Sequence, residues 1–278
     1  MKGIILAGGS GSRLYPLTIG CNKQLLPVYD KPMIYYPMST LIKLGVREIQ
    51  IVSSPEYMER YVNMFRTGEH LGLKISYVIQ EAPRGLPEAF LLSEGFLNKT
   101  PYCMLILGDN IFNGNIPIVW EPQIFAYKVK NPSDYGVVEF DKEWKVISLE
   151  EKPKVPKSKY AVPGLYKLDD NVVDFCKTLK PSARGELEIT DLLNMYIKEN
   201  GLTTSVLPEG FVWLDAGTPS MLYQSAAYVQ TVQERTGKKI GCIEEDCYKA
   251  GYIDRDRFIK VITNIPKGEY RQYLEELL

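Results

Sequence analysis

Short apolar runs alternate with amphipathic segments along the first 110 residues. Four of the runs have the pattern of a buried strand: 3–7, 48–53, 74–80 and 102–107. Helical patterns separate them: 32–44, 56–65 and 88–96. Because Pro37 lies inside the first helical pattern, that helix is expected to bend. The β-α-β-α-β order predicts a parallel sheet with helices on both faces.

The ends of three predicted strands carry turn sequences: 8–12, 80–85 and 108–110. Ligands of open α/β sheets bind at the carboxyl ends of the strands. A ligand site is therefore expected where these turns meet.

The rest of the chain has a different pattern. Short β-rich segments follow: 136–140, 146–150 and 161–166. A helix is expected from 185 to about Asn200, then strands at 203–207 and 211–214, and mostly helix from Ser220 onward. The predicted fold class is α/β: a Rossmann-like, mixed but mostly parallel sheet flanked by helices, with an antiparallel insertion carrying substrate contacts and a helical C-terminus. The chain is expected to divide into an α/β domain at 1–235, which contains the insertion near 114–180, and a helical extension at 236–278 that packs on this domain.

Composition limits the classes of function that are expected of this chain. The 278 residues carry a net charge of −1, which argues against broad binding to nucleic acid or to membranes. Five cysteines without a CxxC pair and a single histidine disfavour a zinc site and a disulfide framework, so a reducing cytoplasm is expected. No apolar run reaches membrane-spanning length. An anionic ligand would need a local cluster of cations.

Such a cluster surrounds the glycine-rich segment at 6–16. Its glycines allow backbone N–H groups to approach phosphates closely. The segment lacks the Gly-Lys-Ser/Thr of a P-loop, and Leu14 replaces the third glycine of a dinucleotide fingerprint. No acidic residue occurs in 1–29, whereas three cations do: Lys2, Arg13 and Lys23. This favours binding of a polyphosphate over a plain turn.

Two carboxylates and one ion pair are further candidates. Asp109 and Asp215 each follow an apolar strand beside a glycine, and carboxylates at strand ends suit Mg²⁺, although each could simply cap a turn. Glu151 and Lys152 are followed directly by the rigid residue Pro153. Glu151 could face a sugar and Lys152 its phosphate, although Glu-Lys runs are usually solvated.

Several motifs together resemble the glucose-1-phosphate thymidylyltransferases, a family of sugar nucleotidyltransferases. The resemblance covers essentially the whole chain and rests on these segments: 8–16, 23–37, 107–112, 135–140, 150–154, 181–191, 213–218 and 273–278. It implies the nucleotidyltransferase fold, with the sugar bound by the insertion. It also implies transfer of a nucleotidyl group from dTTP to α-D-glucose 1-phosphate with Mg²⁺, giving dTDP-glucose and pyrophosphate. The family makes the first compound of dTDP-rhamnose and related deoxysugar pathways, typically as homotetramers.

The resemblance also implies residue roles. Arg13 and Lys23 are the expected catalytic cations, and Asp109 and Asp215 the expected Mg²⁺ ligands. The expected nucleotide contacts are Leu6, Gly8, Gly9, Gly11, Ser12, Arg13, Lys23, Gln24, Gln80, Pro83, Gly85 and Asp109. The expected contacts of the sugar phosphate are Leu107, Asn110, Tyr135, Gly136, Glu151, Lys152, Val162 and Trp213.

The chain departs from the family pattern at a few positions. Pro87-Glu88 replaces a usual Ala-Gln beside the segment expected to recognise the base, which bears on base preference. Asn113 and Asn115 replace a Tyr and a His of a second site, which weighs against feedback inhibition. Two alternatives within the fold stay open: a uridylyltransferase using UTP, and an inactive sensor of nucleotide sugars. A nicotinamide-dependent oxidoreductase is disfavoured by Leu14.

Overall fold

The computed structural model describes residues 1–9, 11–199 and 201–278. The strands, in chain order, are β1 Lys2–Leu6, β2 Pro27–Val28, β3 Lys31–Pro32, β4 Glu48–Ser53, β5 Lys74–Ile79, β6 Tyr102–Leu107, β7 Asn110–Asn113, β8 Gln123–Lys128, β9 Gly136–Phe140, β10 Val146–Glu151, β11 Tyr160–Ala161, β12 Leu165–Asp169, β13 Thr203–Val206 and β14 Val212–Asp215. The helices are α1 Tyr35–Lys43, α2 Pro55–Phe65, α3 Glu88–Leu92, α4 Glu94–Leu97, α5 Val172–Thr178, α6 Ile189–Lys198, α7 Pro219–Thr236, α8 Ile243–Lys249, α9 Arg255–Thr263 and α10 Glu269–Glu275.

In the described part of the chain, ten strands form one mixed sheet in the order β10-β9-β11-β8-β12-β6-β1-β4-β5, with β13 paired to β8. The half that contains β6, β1, β4 and β5 is parallel. Strand β12 runs antiparallel to β6 and joins this half to the β-rich segments of the middle of the chain. The predicted mixed, mostly parallel sheet with flanking helices is confirmed.

The central strands are apolar because both of their faces are covered. Successive side chains of a strand point to opposite faces, and Ile4 and Ile5 of β1 are fully buried in two different hydrophobic clusters. The Ile5 cluster packs against α1, α2 and the C-terminal helices. The Ile4 cluster packs against α3, α5 and α6.

Two predicted helices have different bounds in the structure. Helix α1 begins at Tyr35, not at Pro32, which lies in β3. Pro37 therefore falls in the first turn, where a backbone N–H has no partner within the helix, so no bend is required. The pattern at 88–96 forms two short helices, α3 and α4, that are divided at Ser93. The predicted helix end at Asn200 lies outside the described residues.

Two further features frame the strand ends. Strands β7 and β14 form a separate two-stranded sheet in which Asp215 lies opposite Asn110. The C-terminal helices dock on α1, where the hydroxyl of Ser39 donates to Asp246 of α8 at 2.5 Å. Among the helices of the described ranges, none combines the length and the apolar character needed to cross a membrane.

Candidate active site

The three predicted turns meet at one edge of the sheet. Strands β1, β4, β5 and β6 run in the same direction, so their carboxyl ends share that edge. The backbone N–H of Gly108 donates to the carbonyl of Leu6 at 2.9 Å, and that of Gln80 donates to Ser53 at 2.8 Å. The convergence expected from the sequence is therefore confirmed.

Lys23 is held at this edge by its neighbour Asn22. Lys23 begins a short 3-10 turn, and Oδ1 of Asn22 accepts the backbone N–H of Gln24 at 3.0 Å, as in a helix N-cap. The same oxygen accepts the hydroxyl of Tyr61 at 2.9 Å, and Nδ2 donates to the carbonyl of Ala7 at 3.2 Å. Asn22 thus ties the lysine turn to β1. Asn22 is not among the residues predicted for the site, although an asparagine before a turn is a capping signal.

Asp109 is buried directly after β6, between a cation and an amide. The ammonium of Lys23 donates to its Oδ2, and Nδ2 of Asn110 donates to its Oδ1 at 2.9 Å. Burial alone would raise the pKa of this carboxyl. The charge and hydrogen bond of Lys23 outweigh burial, with help from Asn110, and hold the pKa below its ordinary value.

Asp215 lies beside Asp109 because β14 pairs with β7. The backbone N–H of Ala216 donates to the carbonyl of Asp109 at 3.0 Å, which fixes the two chain segments together. Burial, and then the negative charge of Asp109, raise the pKa of Asp215 to about 6. The buried carboxylate of Asp109 and the half-buried carboxylate of Asp215 repel each other, an arrangement that a divalent cation would stabilise.

This carboxylate pair fits Mg²⁺ in its donor chemistry. Mg²⁺ is usually held by one or two carboxylates, with phosphate oxygens and waters completing the octahedron. In the described parts of the chain, no group of three or more His, Cys, Asp or Glu side chains is arranged to hold a metal. Any Mg²⁺ bound by Asp109 and Asp215 would thus need ligands from substrate and solvent.

Arg13 lies next to this pair. It belongs to the 3-10 turn Ser12–Leu14, and a methyl group built on Gly217 would lie 3.0 Å from its Nη2 and 2.9 Å from Oδ1 of Asp215. Gly217 therefore leaves room for the guanidinium beside the carboxylate. Two predicted catalytic cations and two predicted metal ligands occupy one small region.

Asn110 and Trp213 support this region. Oδ1 of Asn110 accepts the indole N–H of Trp213 at 2.6 Å and the backbone N–H of Gly164 at 3.0 Å. The ring of Trp213 packs at 5.0 Å from that of Tyr135. Because its amide is held on both sides, Asn110 acts as a fixed donor to Asp109.

The predicted sugar-phosphate residues come together through strand pairing. Gly136 of β9 lies opposite Glu151 of β10, and a methyl group on Gly136 would be 3.3 Å from Oε2 of Glu151. The backbone N–H of Lys152 donates to Tyr135 at 3.0 Å, and that of Val162 donates to Gly136 at 2.9 Å. Burial raises the pKa of Glu151, although Lys152, 3.9 Å away, opposes the shift.

A cavity of about 300 Å³ is lined by some of the predicted nucleotide contacts. Its lining includes Gly9, Lys23, Gln80 and Pro83. Gly85 lies where the loop that follows β5 contacts another segment of the chain. It has a left-handed φ of 105°, and a methyl group there would lie 2.1 Å from the carbonyl oxygen of Leu187. This loop is thus tied to the segment before α6.

The remaining predicted contacts lie at the same strand ends. Leu6 and Leu107 are the last residues of β1 and β6, and Ser12 opens the turn that carries Arg13. Gln24 is buried, and a methyl group built on Gly108 would lie 2.7 Å from its Cγ.

Comparisons with known proteins agree with this geometry. The family model described as nucleotidyl transferase matches residues 2–232. A glucose-1-phosphate thymidylyltransferase of Neisseria meningitidis is 47% identical over 287 aligned positions, covering 100% of this chain and 99% of the relative. One of Mycolicibacterium smegmatis is also 47% identical, with the same coverage. A Bacillus anthracis structure described as a glucose-1-phosphate thymidylyltransferase with sucrose is 41% identical, with a TM-score of 0.76, covering 82% of this chain and 94% of its own.

The chain therefore belongs to the nucleotidyl transferase family, and within it to the glucose-1-phosphate thymidylyltransferase family. It is a nucleotidyltransferase, as its sequence predicts.

Proposed function

We propose that the protein transfers a thymidylyl group from dTTP to α-D-glucose 1-phosphate, giving dTDP-glucose and pyrophosphate. The observation that carries the proposal is the position of Arg13, Lys23 and the Asp109–Asp215 pair. They lie at the strand ends, where the cavity beside Gln80 and the Glu151–Lys152 segment are also placed. The names of the full-length relatives support the same substrates.

The reaction needs no protein base. An oxygen of the sugar phosphate attacks the α-phosphorus of dTTP, the bond from that phosphorus to the β-phosphate oxygen breaks, and pyrophosphate leaves with the electron pair. A phosphate monoester has a second pKa near 6 and is mostly a dianion at neutral pH. The chain's single histidine, His70, agrees with this chemistry because it precedes β5, at the other end of that strand from the site.

The protein's contribution is positioning and charge. Arg13 stabilises charge on the leaving pyrophosphate. Lys23, which is held by its hydrogen bond to Asp109, contacts the α-phosphate. Mg²⁺ held by Asp109 and Asp215 would neutralise charge on the phosphates. Together these groups bring two anions close enough to react.

Glu151 and Lys152 are proposed to hold the second substrate. Glu151 accepts hydrogen bonds from glucose hydroxyls, while the ammonium of Lys152 contacts the sugar phosphate. Tyr135 and Trp213 pack beside them and exclude water. Gln80 meets the pyrimidine, and the glycine turn that includes Gly9 lies along the triphosphate.

A nucleotide panel tests the proposal. Pyrophosphate release is followed with glucose 1-phosphate, Mg²⁺ and either dTTP or UTP. We expect a higher kcat/KM with dTTP. Higher turnover with UTP would make the protein a uridylyltransferase, and binding without turnover would make it a sensor.

Several wider features are proposed on the strength of the relatives. We propose that the enzyme acts in the cytoplasm as a homotetramer and supplies dTDP-glucose to dTDP-rhamnose or related deoxysugar synthesis. We also propose that 1–235, with a sugar-binding insertion near 114–180, is the nucleotidyltransferase domain, and that 236–278 is an extension packed on it. Light scattering tests the tetramer: a mass four times 31.6 kDa is expected, and a monomer would refute it.

A further inference from the structure

Gln80 is held by an unusual buried partner, Glu88. Nε2 of Gln80 donates to Oε2 of Glu88 at 2.8 Å, and both residues are buried. The same carboxylate is fixed by Arg84: its backbone N–H meets Oε2 at 3.3 Å and its Nη1 meets Oε1 at 3.1 Å. Each of these three hydrogen bonds uses Glu88 as an acceptor.

This arrangement permits one orientation of the Gln80 amide. A carboxylate paired with an arginine has no proton to donate, so it can only face the NH₂ end of the amide. The carbonyl end must then point away from Glu88. It does so: Oε1 lies against the glycine turn, 2.3 Å from where a methyl group on Gly8 would be. Within the described residues, Oε1 accepts no hydrogen bond, so it is available to a ligand in the adjoining cavity.

The orientation has a consequence for base choice. Thymine and uracil present an N–H donor at N3 between two carbonyl acceptors, so that N–H can donate to Oε1. Cytosine presents an acceptor at N3 and an NH₂ donor beside it. With cytosine in the position of thymine, its N3 acceptor would face Oε1, so the amide of Gln80 would have to rotate to pair with it. The carbonyl of Gln80 would then face the Glu88 carboxylate with no proton between them.

We propose that Glu88 is a specificity-determining residue that locks the amide of Gln80 and thereby selects thymine and uracil over cytosine. Glu88 contacts no substrate itself and acts through Gln80 as a positioning residue. The penalty on rotation is an example of discrimination by disfavouring the wrong partner. This inference rests on the proposed function, because it assigns the base of that reaction's nucleotide.

Glu88→Gln tests the lock at constant side-chain volume. The amide it introduces can donate as well as accept, so Gln80 can adopt either orientation. Steady-state pyrophosphate release is measured with dTTP, UTP and dCTP. We expect the dTTP-to-dCTP ratio of kcat/KM to fall roughly ten- to a hundredfold, and kcat/KM for dCTP itself to rise. The kcat at saturating dTTP should change little, so the effect should lie in KM.

Two further variants separate base selection from a loss of structure. Glu88→Ala removes the lock altogether, so the ratio should fall again, with a higher KM for dTTP. Glu94→Gln is the matched control, since Glu94 is an exposed residue paired with Lys177 in the next helix. Its ratio should equal that of the wild type. An unchanged ratio in Glu88→Gln, or a parallel loss for all three nucleotides, would overturn the inference.

Calorimetric binding of dTTP and dCTP keeps this test separate from the proposed function. If the wild type binds dTTP but releases no pyrophosphate, the proposed function fails, while the binding ratio in Glu88→Gln still decides the role of Glu88. If the wild type binds neither nucleotide, both fail.

Discussion

The ammonium of Lys23 donates a hydrogen bond to Oδ2 of Asp109, 86 positions later in the chain. The lysine predicted to bind phosphate and the aspartate predicted to bind the metal are therefore in direct contact. Asn22 fixes the lysine from one side, and Asn110 fixes the aspartate from the other. The protein's own hydrogen bonds hold both charges in place, which is what electrostatic preorganisation requires.

Arg13→Ala should lose far more kcat than it gains in KM. The guanidinium lies beside Asp215 and is proposed to act on charge that develops only as pyrophosphate leaves. Loss of such a group typically lowers kcat by about 10²–10³-fold. Steady-state pyrophosphate release measures both constants, with Arg235→Ala, an exposed arginine of α7, as control. An unchanged kcat in Arg13→Ala would refute the assignment.

Asp215→Asn should stabilise the Mg²⁺-free protein while abolishing activity. The pKa of Asp215 is raised to about 6 by burial and by Asp109. A raised folded-state pKa contributes stability below the unfolded value, near 4, and that contribution is lost as pH rises through about 6. The variant escapes this loss, so its free energy of unfolding near pH 8 should exceed that of the wild type by roughly 1–3 kcal/mol.

Urea unfolding from about pH 4 to pH 8 measures this difference, which should shrink toward the acid end. Added Mg²⁺ should stabilise the wild type and not the variant. A variant less stable than the wild type at every pH would contradict the charge repulsion described for the pair.

Much of this site follows from local sequence. The glycine turn after β1 and the Gly108-Asp109 turn after β6 are visible because buried parallel strands are nearly continuous apolar runs. The parallel direction of the strands also places their carboxyl ends, and with them the two turns, at one edge of the sheet. The prediction that α1 begins at Pro32 is wrong. Proline is a favourable first residue of a helix, and only the pairing of Pro32 in β3 overrides that preference.

Other features depend on contacts between distant segments. Strand β14 belongs to a small sheet with β7, and only that register places Asp215 opposite Asn110. Likewise, Trp213 meets Asn110 across 103 positions, and no local pattern encodes that hydrogen bond. The contact between Gln80 and Glu88 spans only 8 positions, but the intervening loop has no regular period from which to predict it.

Gly8→Ala should weaken nucleotide binding. Its methyl group would lie 2.3 Å from Oε1 of Gln80, so the amide or the glycine turn must move. We expect KM for dTTP to rise about tenfold, the equivalent of roughly one well-made hydrogen bond. Gly95→Ala in α4 is the matched control, because a methyl group there meets nothing within 4 Å and should leave KM unchanged. Equal KM values in the two variants would argue against the role of this turn.

Trp213→Phe should destabilise the protein and lower kcat only modestly. Phenylalanine keeps an aromatic ring beside Tyr135 but removes the N–H that Asn110 accepts at 2.6 Å. The loss of a buried hydrogen bond costs about 1–3 kcal/mol. Asp109 keeps its contact with Lys23, so kcat should fall less than tenfold, about 1.4 kcal/mol. Unfolding of Trp120→Phe, whose side chain is exposed, provides the comparison; equal stabilities would contradict the structural role of the indole N–H.

The fate of the α-phosphate tests the central claim most directly. The protein is incubated with Mg²⁺, glucose 1-phosphate and dTTP that carries a radioactive label at the α-phosphorus or, in a parallel reaction, at the γ-phosphorus. Attack at the α-phosphorus predicts that the α-label appears in dTDP-glucose and the γ-label in pyrophosphate. Recovery of the γ-label as inorganic phosphate, or of the α-label only in unreacted dTTP or in dTMP, would contradict nucleotidyl transfer to the sugar phosphate.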